Sequence, residues 1–102
     1  MNQKLKEKDL AFLYGAVLQL QSEEECRRFF EDLCTVTELK AISQRLQVAK
    51  MLSQKIVYSD IVQETGASTA TISRVNRSLQ YGADGYTEIF RRMGVLEKKE
   101  TE

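Results

Sequence analysis

The sequence predicts an all-α fold organised around a helix-turn-helix, and three observations carry that expectation. The 102 residues contain no proline and no tryptophan and only five glycines, so little in the chain interrupts a helix. Apolar residues recur three and four positions apart rather than alternating. Residues 58–79, YSDIVQETGASTATISRVNRSL, place a glycine between a short helical pattern and a longer one, as expected where two helices meet at a tight turn.

Taken in order, residues 1–9 (MNQKLKEKD) are polar and read as a frayed start. A first helix follows from Leu10, with Leu10, Leu13, Tyr14, Val17 and Leu18 forming one apolar stripe that closes over Gln19–Gln21. Gly15 inside it costs roughly 1 kcal/mol relative to alanine. Ser22 and Glu25 form an S-x-x-E capping box. Cys26, Phe29, Phe30 and Leu33 then give a short second helix its aromatic face. Glu23, Glu24 and Glu25 occupy its first turn, where the helix dipole favours negative charge. Thr35 and Glu38 repeat the capping pattern. A third helix is predicted to run to about Lys55 with Leu39, Ile42, Leu46 and Ala49 on one face.

The central motif comes next. A short helix is predicted over Ser59–Thr65, a turn at Gly66, and a second helix over about Thr69–Leu79. Gly66 stands where the first helix must stop and the backbone turns left-handed, which glycine tolerates without steric cost. Ser68 is suited to cap the next helix. Ile61 and Val62 from the first helix, and Ile72, Val75 and Leu79 from the second, are the expected core. On the opposite side of the second helix lie Ala70, Arg74 and Arg77. That face is small near its start and cationic beyond, as a helix entering a DNA major groove requires. The bland alternative is an ordinary helical hairpin with a glycine cap. The second helix carries no acidic residue, whereas a surface helix usually mixes both signs of charge. After the motif, Tyr81–Gly85 is a clear break. A last helix over 84–94 carries Tyr86, Ile89, Phe90 and Met93 at helical spacing.

The organisation expected is a single all-helical domain over 1–96. It comprises N-terminal dimerisation helices at 10–34, a long central helix at 35–55, the helix-turn-helix at 58–79 and a C-terminal helix at 84–94. Residues 97–102 (EKKETE) are read as a disordered tail. A chain this short buries a modest core, so a dimer sharing a core is expected.

Fifteen basic and fifteen acidic residues cancel, but they are not evenly distributed. Residues 40–81 carry six basic side chains (Lys40, Arg45, Lys50, Lys55, Arg74, Arg77) against Asp60 and Glu64, a net of +4. Residues 1–39 come to −3 and residues 82–102 to −1. The basic character is confined to the segment with the motif. There is no histidine, and Cys26 and Cys34 do not form a metal-binding pattern. No zinc site, cofactor, Ser-His pair or Cys-His pair is therefore expected, and an enzyme is not. The two cysteines read as free, partly buried thiols in a reducing cytoplasm. No leader or membrane-spanning stretch is read. A protein-interaction module, with Arg74 and Arg77 meeting an acidic partner, is the other class the same helices can serve.

Residues 35–79 resemble the tryptophan repressor in T-x-x-E, Arg45 and ETGASTATISRVNRSL, most specifically in G-A-x-x-A-T-I-[ST]-R followed by N-x-S-L. The chain looks most like a YerC-type branch of that family. The resemblance is good over about half the chain and looser in the first helices. It implies an all-helical, intertwined homodimer that presents two helix-turn-helix heads to a palindromic double-stranded DNA operator and acts as a repressor. It also admits a non-repressor role, since replication initiators carry a similar DNA-binding head. No ATPase domain is read in these 102 residues, and that counts against this role. The DNA-contacting set implied is Ser59, Ser68, Thr69, Ala70, Thr71, Ser73, Arg74 and Arg77. Arg45 and Arg74 resemble the two arginines that flank the family's bound tryptophan, while Thr35 and Ser78 resemble the polar groups near its carboxylate and amino group. The match needs a one-residue shift between Arg45 and Asp60. Where the repressor has a glycine that makes room for the indole, this chain has Val75. Valine there would cost a bound aromatic ring on the order of 1–3 kcal/mol, so L-tryptophan is not the effector expected.

Overall fold

The structure, a computed structural model, describes residues 6–96. They form six helices: α1 (Glu7–Val17), α2 (Glu23–Leu33), α3 (Val36–Ser53), α4 (Tyr58–Thr65), α5 (Thr69–Tyr81) and α6 (Gly85–Met93). The tail read at 97–102 and the first five residues lie outside the described residues. The chain divides into two compact units, with the boundary between Val36 and Thr37.

In the N-terminal unit, α1 begins at Glu7, three residues earlier than its apolar stripe. Glu7 and Asp9 extend it because acidic side chains suit a first turn. The helix stops at Val17, so Leu18 and Gln19 lie beyond it. The cap of α2 forms as its spelling predicts: Ser22 Oγ accepts from the Glu25 amide at 3.1 Å. The reciprocal bond reaches one residue further back, with the Gln21 amide donating to Glu25 Oε1 at 2.9 Å. Arg27 bridges Glu24 and Glu31, and Arg28 also reaches Glu24. The hydrogen bond to Glu24, then that to Glu31, raises the Arg27 guanidinium above its ordinary pKa. These pairs are exposed and contribute little to stability. The rings of Phe29 and Phe30 meet edge to face at 5.3 Å. Neither helix buries a residue within this chain.

The second unit holds the core: Val48 and Ala49 from α3, Ile61 from α4, Ala67 from the turn, Ile72 and Val75 from α5, and Phe90 from α6. Met51, Leu52, Ile56, Val62, Leu79, Tyr86, Val95 and Leu96 pack around it. The expected core of the motif is therefore the one found. For α3 the outcome is split. Ala49 is buried, but Ile42 and Leu46 are 44% and 41% exposed. The helix gives its C-terminal half to the core of this chain and leaves the earlier part of its apolar face open.

α3 also ends at Ser53, short of the predicted Lys55. Lys55 itself adopts a left-handed conformation, φ 67°. The Ile56 amide reaches back to the Met51 carbonyl and the Lys55 amide to that of Leu52, which is a Schellman ending made without glycine. α6 ends in the same way, with Gly94 in the left-handed position, Val95 bonding to Phe90 and Gly94 to Arg91. Tyr86 and Phe90 stack with centroids 6.0 Å apart, while Ile89 and Met93 from the same predicted stripe stay exposed. α5 runs two residues beyond Leu79 and stops at Gly82, where a Cβ would lie 2.4 Å from the Ser78 carbonyl oxygen. Only glycine fits that close approach.

Candidate nucleic-acid interface

The motif is built from the turn outward. Gly66 takes φ 73°, and its amide donates to the Val62 carbonyl at 2.8 Å, closing α4 with a left-handed cap. Thr65 Oγ1 donates to the Ile61 carbonyl at 2.7 Å and accepts from the Ala67 amide at 3.1 Å. Ala67 is thereby drawn into the core, 2% exposed. Ser68 Oγ then accepts from the Thr71 amide at 3.1 Å and donates to Thr71 Oγ1 at 3.1 Å. This caps α5 and satisfies one of the amides a helix start leaves unpaired. The start of α5 is thus fixed by bonds on both sides of the glycine.

With Ile72 and Val75 buried, the other face of α5 is turned to solvent. Thr69, Ala70, Ser73, Arg74 and Arg77 are all exposed, and Thr71 is half-buried. Ser73, Arg74 and Arg77 come together along a small cleft. Ser59, in the first turn of α4, is exposed as well. Two members of the expected set, Ser68 and Thr71, spend hydrogen bonds on the cap, so the most open positions near the start of α5 are Thr69, Ala70 and Ser73. Two guanidinium groups lie beyond them, and α5 contains no carboxylate.

The residues expected around an effector are placed as follows. Arg74 lies in the cleft with Ser73 and Arg77, which includes neither Arg45 nor Ser78. Arg45 is exposed near the middle of α3, and Ser78 is exposed on α5. Thr35 precedes α3 and belongs to the N-terminal unit. Val75 is 2% exposed and part of the core. Cys26 and Cys34 are free and half-buried. Among the described residues no group of side chains is disposed to hold a metal ion, and no helix is long and apolar enough to cross a membrane.

Sequence reasoning passed over Gln44. Its Nε2 donates to the Thr65 carbonyl at 3.1 Å, joining α3 to the turn across 21 positions. A polar residue in a long helix carries no signal of such a partner. The groove beside this bond is lined by Leu39, Lys40, Ser43, Gln44, Gln47, Glu64 and Thr65.

This is the architecture of an all-helical protein of the helix-turn-helix class, with an exposed face on α5 that is small at its start and basic beyond. Residues 8–94 match the family model described as Trp repressor protein, and the chain belongs to that family. It is 50% identical over 99 residues to the uncharacterized protein YerC of Bacillus subtilis (strain 168), covering 97% of this chain and 90% of that protein. Two solved structures share its fold at 55% identity. One is a crystal structure of a protein assigned as a Trp repressor from Staphylococcus aureus, with TM-score 0.85 over 95% of this chain and 93% of that one. The other is a TrpR-like protein from Eubacterium eligens ATCC 27750, with TM-score 0.87 over 95% of this chain and all of its own.

Proposed function

We propose that this protein is a sequence-specific double-stranded DNA-binding transcriptional regulator, a repressor that acts as a homodimer on a palindromic operator and does no enzymatic work. The observation that carries this reading is the open face of α5: small side chains at Thr69, Ala70 and Ser73, then Arg74 and Arg77, on a helix whose start is locked by the turn. Base edges need short side chains that let the helix approach, and phosphates need cations beyond them. Membership of the Trp repressor family supports the same function.

The dimer is supported by what this chain leaves uncovered. Phe12 and Leu18 are 81% and 80% exposed, and an isolated helix as short as α1 is marginal in water without an apolar face to bury. A second copy of the chain would supply it. Twofold heads would then contact half-sites about one helical turn, ~34 Å, apart.

Regulation by L-tryptophan is not part of this reading. Val75 fills the place where the family resemblance implies an indole slot, and it is packed in the core beneath α5. Valine in that position does from within the chain the packing that a bound ring would do, so operator binding is constitutive or answers to another signal. Arg45, Arg74 and Ser78 are the candidates within the second unit for holding a polar effector.

Two titrations test this. Affinity for a mixed-sequence duplex should fall steeply as salt rises, because each neutralised phosphate releases counterion. No binding even at low salt would instead favour a protein-interaction module. Calorimetry with L-tryptophan should show no saturable heat, and operator affinity should be unchanged by it. A tenfold or larger rise in operator affinity on adding L-tryptophan would refute the constitutive reading, and Val75→Gly acquiring such a response would support it.

A further inference from the structure

We infer that Gln44 is a positioning residue for the DNA-reading helix, and so a determinant of how well the protein tells its operator from other duplex DNA. The inference rests on the proposed DNA-binding function.

The last carbonyls of a helix have no partner within it. In α4, the Val62 carbonyl is taken by the Gly66 amide, and the Ile61 carbonyl also accepts from Thr65 Oγ1. The Thr65 carbonyl, at the very end of α4, is met from outside by Gln44 Nε2 at 3.1 Å, in a part-buried setting. A carbonyl only accepts, so the amide nitrogen is the atom that faces it. The same Thr65 organises the turn through its hydroxyl, which accepts from the Ala67 amide. Gln44 therefore holds a residue that itself bonds to both sides of the glycine in the α4–α5 turn, and it holds it from α3, outside the motif. Core packing among Val48, Ile61 and Ile72 is non-directional and tolerates small rotations of α4 and α5 against α3. A hydrogen bond is directional and restricts them.

Orientation matters unequally to the contacts α5 can make. Arginines at the ends of flexible side chains still reach phosphates after a small tilt. Short side chains such as Thr69 and Ser73 cannot make up a lost ångström to a base edge. Loss of the Gln44 bond should therefore reduce discrimination more than general affinity.

The test uses the full chain with Gln44→Met, which keeps the stem length and removes the donor, and Gln44→Lys, which restores a donor. In the absence of DNA, amide exchange at Gly66 and Ala67 should speed up about fivefold in the Met variant while Ile72 and Val75 hold their rates. Against the duplex that the unsubstituted protein enriches from a random library, the Met variant should lose about fivefold in affinity, the size of one hydrogen bond. A scrambled duplex should be bound as before and the salt slope should not move. The Lys variant should recover most of the loss. Equal losses on both duplexes, or none, would overturn the inference while leaving the DNA-binding function standing. Failure of the unsubstituted protein to enrich any duplex overturns that function itself. The exchange rates then still decide whether Gln44 anchors the turn, and unchanged rates at Gly66 and Ala67 in the Met variant overturn the inference on their own.

Discussion

The helix pair α1–α2 and the head formed by the end of α3 with α4, α5 and α6 are made of similar residues and reach opposite outcomes. Both carry apolar stripes at helical spacing. The head closes a core of its own, with Val48, Ala49, Ile61 and Ile72 fully removed from solvent. In the N-terminal pair α2 has a capped start and ion pairs along its surface, yet neither helix fully buries a residue within the chain. Helix formation and helix burial are thus separate problems. Caps and spacing solve the first locally, while the second needs a surface that only the head finds in its own chain. On the proposed reading, a second copy supplies that surface for the pair.

The contrast can be broken from either side. Ile72→Ala, in the centre of the head, should cost about 3–4 kcal/mol of unfolding free energy, the transfer loss plus a cavity, measured by urea denaturation. A loss below about 1 kcal/mol would mean that the head does not depend on its own core. Replacing both Phe12 and Leu18 by glutamate should leave the head folded and raise the dimer dissociation constant at least about 100-fold, since charge would be placed in an apolar interface. Sedimentation at micromolar concentration reads this directly, and an unchanged dimer mass would show that these side chains face no partner.

The head also divides, into a turn whose chemistry was legible and joints that were not. Gly66 and the cap residue Ser68 could be read, as Ser22 could in the N-terminal pair, because each answers a local demand: a left-handed turn, or an unpaired helix amide. The core positions Ile61, Ile72 and Val75 could be read because period 3.6 selects one face. What period cannot say is which chain covers that face, and so Ile42, Leu46, Ile89 and Met93 lie exposed on stripes predicted to be buried. Lys55 gave no sign of a left-handed ending, because lysine is a good helix former and pays for that conformation with strain. Gln44 could not be paired with Thr65 because nothing local requires it. That Ala70, Arg74 and Arg77 face away from the core was legible, as was the cap duty of Ser68, but the part that Thr71 Oγ1 takes in that cap emerged only from the bonds themselves.

Smaller effects sharpen the same division between local and non-local demands. Arg77→Ala should lower the slope of log affinity against log salt by about one unit if the side chain meets a phosphate, with sequence preference unchanged. A changed preference would move Arg77 to the base edges. Lys55→Gly should stabilise the protein by about 0.5–1 kcal/mol by removing the left-handed strain at the end of α3, seen as a raised urea midpoint with the same slope. A lowered midpoint would show that the lysine side chain makes up for its backbone.

Selection of bound sequences from a random duplex library, done without L-tryptophan, tests the central claim most directly. The account predicts a palindrome whose half-site centres lie about one helical turn, ~34 Å, apart, with Thr69 and Ser73 substitutions shifting the recovered half-site. Recovery of no sequence above the starting pool, or of a palindrome only when L-tryptophan is added, would contradict it.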